Sequence, residues 1–295
     1  MNRTQRAISW LQSNAPLLSG FLRQLKGYDN QLISLEHRVD NHKPRYGYSQ
    51  PKLASIDAIC SSKRFEIRRQ VESFVKFVPA LSGITLASSE SATDPYWESG
   101  WFPVLDAISL YGFLRDLAPK TYLEVGSGHS TRFARRAVTD GALPTKILSI
   151  DPHPRANISK LSDSITRSRL QDTDLSVFDQ LESGDVVLFD GSHRSFVNTD
   201  VTVFFLEVLP RLSRGVLVAV HDVYLPFDYP PGIPFYNEQY LLGAYMAAGT
   251  KLELVLPNAY VTRDPELRLP LEAAVKQSLV PGAKLAGCAF WVRTN

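Results

Sequence analysis

From Thr121 onward, short apolar runs alternate with helical segments, and that alternation leaves the chain very few folds. Thr121–Val125, Lys146–Ile150, Asp185–Phe189 and Gly215–Val220 are largely apolar on consecutive positions and rich in β-branched residues, each bounded by Gly, Asp or Pro. Runs this short and this apolar fit strands covered on both faces of a parallel sheet. Between them the spacing predicts helices over Thr131–Val138 and Phe196–Leu209, the second carrying Val197, Val201, Phe204, Val208 and Leu212 at helical intervals. Strand and helix in strict alternation give a doubly wound α/β sheet. Two further strands are expected at Leu252–Leu256 and Leu285–Val292, flanking a helix near Leu271–Ser278.

Upstream the pattern is helical. Ile56 to about Val78 reads as one helix, Ser82–Thr93 as a linker, and Pro103–Leu117 as a helix that stops before Pro119. Residues 1–52 hold eight Lys+Arg against three Asp+Glu. Ile8, Leu11, Leu17, Leu18, Phe21, Leu22 and Leu25 form an amphipathic pattern broken near Pro16, and Tyr28 to Pro51 is polar and turn-rich. Two readings of this segment stay open: a helical appendage with a solvated face, or a contact for a membrane surface or partner.

Charge and cysteine usage exclude several functions. With 32 Lys+Arg, 30 Asp+Glu and a net charge of +2, the chain lacks the concentrated basic surface of a nucleic-acid binder. Cys60 and Cys288 are too few and too far apart for a zinc ribbon or a disulfide framework, and read as buried small side chains. No run approaches the ~18 apolar residues of a bilayer span. Gln12, Ser13 and Asn14 interrupt any apolar signal-peptide core, so a cytoplasmic location is expected.

Glu124-Val-Gly126-Ser127-Gly128-His129-Ser130-Thr131 closes the first strand and opens a helix. The glycines permit a tight turn and close approach of a ligand to the backbone. The helix then offers free N–H groups and a partial positive charge, with Ser130 or Thr131 as cap. Thr131 stands where a dinucleotide fingerprint has its third glycine, and Glu124 could accept from an amino group, which a pyrophosphate lacks. An ordinary tight βα turn is the alternative. Asp151 ends the next strand, where an acid can hold the hydroxyls of a ribose.

Glu124-Val-Gly-Ser-Gly followed by Ile150-Asp151, then Phe189-Asp190-Gly191-Ser192-His193 and Val220-His221-Asp222, resembles the class I S-adenosylmethionine-dependent methyltransferases. The later motifs resemble the small-molecule O-methyltransferases of methyltransferase family 24, with a more distant similarity to catechol O-methyltransferase. The resemblance covers roughly Tyr96 to Trp291. It implies a Rossmann-like, seven-stranded, mostly parallel sheet. Residues 1–95 would then be an N-terminal helical extension and linker, and residues 96–295 the methyltransferase domain. It also implies S-adenosyl-L-methionine as cofactor, contacted by Glu124, Gly126, Ser127, Gly128, Ser130, Thr131, Asp151 and Asp190. Gln171 and Asp172 would lie at the adenine, after a weak polar strand near Ile165–Leu170.

Asp190 ends the fourth strand and His221-Asp222 the fifth, and ligands of open α/β sheets bind beyond the carboxyl ends of the strands. In the catechol-type relatives, groups at these strand ends hold Mg²⁺, which lowers the pKa of the acceptor hydroxyl. Asp190 and Asp222 suit Mg²⁺, while His221 departs from an all-oxygen set and suits Mn²⁺ or Fe²⁺ as well. Without a metal, His193 or His221 would be the general base. His129 reads as a cofactor neighbour. The loop Tyr224–Tyr240 follows the fifth strand, and its aromatics beside Asp228, Asn237 and Glu238 suit a sugar or polyol acceptor, or else pack on the core.

The expectation is therefore O-methylation of a small molecule, with no nucleic-acid partner and no transmembrane segment; a homo-oligomer is compatible with it. The rivals are a nicotinamide-dependent oxidoreductase and a non-catalytic methyltransferase-like binding protein. The absence of a G-x-S-x-G elbow disfavours a serine hydrolase.

Overall fold

The computed structural model describes residues 43–88, 93–154, 158–233, 235–249 and 251–295. The amphipathic segment expected over Ile8–Leu25 lies outside the described residues. The helix expected from Ile56 to Val78 is divided. It comprises α1 (Ala54–Ser62), α2 (Arg64–Phe74) and a 3₁₀ turn over Val75–Leu81, with the break at Lys63, whose ψ of 12° leaves the helical region. Helix α3 (Val104–Leu117) ends on Ala118 in the left-handed conformation, ahead of Pro119.

The alternating region follows as β1 (Thr121–Val125), α4 (His129–Gly141), β2 (Lys146–Ile150), β3 (Ser164–Thr166), α5 (Ser176–Asp179) and β4 (Val186–Phe189). Next come α6 (Asp200–Val203), a π-helical turn (Phe204–Val208), α7 (Leu209–Arg211) and β5 (Leu217–Val220). The last third holds α8 (Glu238–Ala247), β6 (Leu252–Pro257), α9 (Asn258–Arg263), α10 (Pro265–Ser278) and β7 (Phe290–Thr294). Every residue of β4 and β5 is buried, as their unbroken apolar sequences require.

These strands make one seven-stranded sheet in the order β3-β2-β1-β4-β5-β7-β6. Pairing is parallel from β3 through β5, and β7 inserts antiparallel between β5 and β6. The order reverses between β1 and β4, which opens a crevice at their carboxyl ends. β7 starts at Phe290, later than the expected Leu285. Just ahead of it, Cys288 O accepts from Val223 N past β5 and Ala289 O from Asn258 N past β6, while Ala286 O accepts from Leu105 N of α3.

The helices before residue 95 share the core of the sheet domain. Ile56, Ile67, Val71 and Phe74 are fully buried in one apolar cluster that continues to Val292. Phe74 meets Phe113 of α3 edge-on, ring centroids 5.1 Å apart. No helix among the described residues is long and apolar enough to cross a membrane.

Candidate active site

Sheet-like pairing continues past the strand ends and delivers the motif residues to one edge. Gly126 N donates to Ile150 O, Asp190 N to Val125 O, and His221 N to Phe189 O. The turn after β1, Asp190 after β4 and His221 after β5 are thus adjacent. Gly126 has φ +81°, and a Cβ there would stand 1.9 Å from the Asp190 carbonyl oxygen. Only glycine lets the two strand ends approach this closely. At Gly128 nothing lies within 4 Å of an added Cβ, so open space faces the turn.

Acids and hydroxyls behind the turn hold it in shape. Glu124 is fully buried and accepts from four hydroxyls: Thr131 and Ser149 on Oε1, Tyr122 and Ser130 on Oε2. Burial raises its carboxyl to about 7 against the pull of those donors. Its oxygens are saturated, so it braces the turn from below. Thr131 Oγ1 also accepts from Gly128 N at 2.9 Å, which caps α4. Asp151 Oδ2 accepts from Ser127 N and Oγ at 2.8 Å each, and Oδ1 accepts from His153 N at 2.8 Å. His129 bonds through Nε2 to Tyr96 O, and burial lowers its imidazole to about 4.

Gln171 and Asp172 lie in a 3₁₀ turn, Leu170–Asp172, after β3. The Gln171 Oε1 atom is buried without a hydrogen-bond partner, whereas Asp172 pairs with Arg169 at 2.6 Å. β3 itself is only Ser164–Thr166, shorter than the expected Ile165–Leu170 strand.

The second cluster gathers the acids and histidines of β4 and β5. His193 Nε2 is 3.5 Å from Asp190 Oδ1 and 3.5 Å from Asp222 Oδ2, and its Nδ1 is 2.6 Å from Glu238 Oε1. Burial alone would lower the His193 imidazole, but Glu238, Asp190 and Asp222 outweigh it and raise it to about 9. Burial also pushes the Glu238 carboxyl up to about 7, with His193 pulling the other way. Tyr236 stacks on the His193 ring at 4.2 Å. His193 and Asp222 both have positive φ, +63° and +55°, a strained backbone for non-glycine residues.

His221 sits deeper, 1% exposed. Its Nδ1 is 3.4 Å from Asp190 Oδ1, its Nε2 is 3.2 Å from Asp106 Oδ2, and Phe102 stacks on its ring at 5.1 Å. Burial opposes its protonation; Cys288, Asp190, Asp222 and Asp106 overcome that and raise it well above the usual histidine range. Asp106 lies on α3, fully buried, and accepts from Asn258 Nδ2, Cys288 N and Ala289 N. Of the expected metal set, Asp190 and Asp222 group with His193, their donor atoms all within 4.8 Å of one another, whereas His221 falls in a separate group with Asp106 and Cys288.

Asp106 and Glu238 in these roles escaped the sequence reading. A single acid within the apolar run of α3 was the available signal for Asp106. Glu238 opens α8 behind the loop 224–236, and that loop packs inward: Leu225 is 1% exposed, Phe227 and Tyr229 8% each. Asp228 accepts from Arg45 N and Tyr240 Oη, and Asn237 Oδ1 accepts from Ser195. The side chains that suited a polyol are therefore used inside the protein. The cleft over the glycine turn is lined instead by Tyr96, Trp101, Phe102, Ser127, Gly128 and Asp190. A neighbouring cleft shares Trp101 and Phe102 with it and adds Trp97, Glu98 and Lys284.

A family profile described as "Methyltransferase domain" matches residues 123–223. Those residues form a methyltransferase domain. The match runs from within β1 to just past β5 and so takes in the glycine turn, Asp151, Asp190, His193, His221 and Asp222. Outside it lie Asp106 and Glu238, which reach the methyltransferase domain from α3 and α8. Among solved structures, the chain is similar to the O-methyltransferase TomG from Streptomyces achromogenes, involved in tomaymycin synthesis and crystallised with S-adenosylmethionine. There the identity is 14% over 83% of this chain and 98% of that one, with a TM-score of 0.39. An O-methyltransferase from Bacillus cereus in complex with S-adenosylhomocysteine gives 12% identity over 81% and 99%, TM-score 0.40. MycE methyltransferase of the mycinamycin pathway, in complex with Mg, S-adenosylhomocysteine and mycinamycin VI, gives 16% over 62% and 47%, TM-score 0.35. No curated protein matches the chain.

Proposed function

We propose that this protein is an S-adenosylmethionine-dependent O-methyltransferase of small molecules. One observation carries the reading: the glycine turn and the Asp190–His193–Asp222 cluster meet at a single strand edge, with Asp190 lining the cleft over the turn. A methyl donor over the turn and an acceptor oxygen at the carboxylates would be neighbours there.

The donor set fits the cofactor. Open space at Gly128 and the start of α4 suit its methionine end, and the buried, unpartnered Gln171 Oε1 suits an adenine amino group. Asp151 has acceptor capacity left for a ribose hydroxyl while it holds Ser127. Asp190 and Asp222 would hold a divalent ion. Bound cofactor supplies an electrophilic methyl group, and a bound cation lowers the pKa of the acceptor hydroxyl. The protein's own task is alignment and exclusion of water, which carries much of the rate in such a displacement. At neutral pH, and without a cation, His193 is protonated among three carboxylates, so it holds Asp190 and Asp222 in place and is a poor proton acceptor.

Tyr96, Trp97, Trp101 and Phe102 wall the two clefts. Flat apolar walls favour a planar acceptor bearing a hydroxyl over a polyol. The test is thermal unfolding with S-adenosylhomocysteine and, separately, with NADH. A ligand at ~100 times its Kd adds about 2.7 kcal/mol. Stabilisation by S-adenosylhomocysteine alone is the expected result. Stabilisation by NADH alone would replace this reading with the oxidoreductase. Cofactor binding without turnover of any phenolic acceptor would favour the non-catalytic binding protein.

A further inference from the structure

The cleft beside the one over the glycine turn has its own chemistry. The two clefts share Trp101 and Phe102, so ligands bound in them would be neighbours. The second cleft holds about 260 Å³. Ligand pockets begin near ~300 Å³, so a cleft of this size suits a small ring system. Both of its walls are pinned. On one side Trp97 N donates to Thr85 O and Glu98 N to Leu86 O; on the other, Ala286 O accepts from Leu105 N. Trp97 also packs on Phe133 of α4, ring centroids 5.3 Å apart.

Trp97 brings an unsatisfied donor to this cleft. The residue is 5% exposed, and its indole Nε1 is buried without a hydrogen-bond partner. An indole N–H only donates, so an acceptor atom has to complete it. Glu98 and Lys284 line the same cleft, and both are exposed. Neither side chain forms an ion pair or hydrogen bond among the described residues, with the other or with any third group. Unpaired charges of both signs on one small cleft walled by aromatic rings match a flat molecule that carries both charges itself. A ligand with one charge would leave the second residue facing a like charge or none.

We propose that this cleft is the acceptor subsite and that it selects a phenolic ring with a zwitterionic, amino-acid-type end. Lys284 takes the carboxylate and Glu98 the ammonium group, the Trp97 indole N–H donates to the ligand, and Trp101 and Phe102 stand beside the ring. The inference rests on the methyltransferase reading and deepens it by fixing the charges that the acceptor carries. In the transfer the phenol oxygen gains the methyl group from the sulfonium, its proton leaves to solvent, and S-adenosylhomocysteine remains.

The full chain, saturated with S-adenosylhomocysteine, is titrated by calorimetry with L-tyrosine, with tyramine, which lacks the carboxylate, and with p-hydroxyphenylpropionate, which lacks the ammonium group. L-tyrosine should bind about 3–5-fold tighter than either analogue, the upper range for exposed ion pairs. Lys284→Gln should remove the preference over tyramine alone, and Glu98→Gln the preference over p-hydroxyphenylpropionate alone. Trp97→Phe keeps an aromatic ring and removes the donor, so it should weaken L-tyrosine binding about 3–10-fold at an unchanged Tm, since the N–H makes no bond within the protein. Equal affinity for the three probes, preferences unmoved by the two charge variants, L-tyrosine binding unchanged in Trp97→Phe, competition between L-tyrosine and S-adenosylhomocysteine, or no probe bound would overturn the proposal. Binding of S-adenosylhomocysteine without discrimination among the probes removes the acceptor assignment and leaves the methyltransferase reading standing. If S-adenosylhomocysteine itself does not bind, that reading falls, and the charge selectivity of the cleft is read on the chain alone.

Discussion

Side chains behind the glycine turn do more bracing than contacting, and this shapes what their substitution should do. Asp151 holds Ser127 N and Oγ and would also face the ribose. Asp151→Ala should therefore weaken S-adenosylhomocysteine binding by about 1.5–3 kcal/mol, the worth of hydrogen bonds to a charged acceptor; calorimetry with unchanged affinity would remove the role. The two glycines should separate by mechanism. Gly126→Ala drives a Cβ into the Asp190 carbonyl and should lower stability by about 1–3 kcal/mol, measured by denaturant unfolding. Gly128→Ala meets no neighbour, though its φ of +155° adds some strain, so its main loss should be in cofactor binding. Glu124 gives a pH signature. Its carboxyl is raised from 4.5 to about 7 on folding, so its contribution to stability is full below 4.5 and is lost as pH rises through about 7. Against a non-titrating Glu124→Gln, the wild type should lose relative stability over that interval and level off above it. A flat difference in unfolding free energy across those pH values would contradict the assignment.

At the scale of elements, β4 and β5 need nothing but their own sequences: four consecutive apolar residues each, buried on both faces. The helix after β4 is less regular. Expected as one stretch from Phe196 to Leu209, it starts at Asp200, passes through a π-turn at Phe204–Val208 and ends at Arg211. Thr199 and Asp200 explain the start. Thr199 N donates to Thr202 Oγ1, and Asp200 accepts from Ser192 N, tying the helix to the loop that carries His193. Within the π-turn, the Phe205 carbonyl accepts from Tyr245 Oη at 2.8 Å, so a side chain of α8 replaces part of the regular ladder. Tyr245→Phe should cost about 0.5–1.5 kcal/mol of stability with activity retained. A loss of activity with stability intact would mean that the π-turn serves the site directly.

For the whole molecule, the helices at Ala54–Leu81 and the sheet share one core, so they should unfold together. Phe74→Ala should cost about 3–5 kcal/mol and move a single transition. A separate early transition in calorimetry would instead make those helices an independent appendage. The alternation of strands and helices, the glycine turn and the acids at strand ends were legible along the chain because each is local. A strand's burial follows from its own few residues, and a βα turn from the glycines within it. The parallel sheet and the meeting of Glu124, Asp151, Asp190 and Asp222 at one edge follow from that pattern once crossovers bring every strand end to the same side. Tertiary structure alone decided the rest. Asp106 reaches His221 only because Cys288 and Ala289, far along the chain, donate their N–H groups to its carboxylate. Glu238 meets His193 only because the loop before it folds inward and buries Phe227 and Tyr229. Such contacts come from packing between distant segments, and a linear pattern carries no record of which buried acid will stand behind which imidazole.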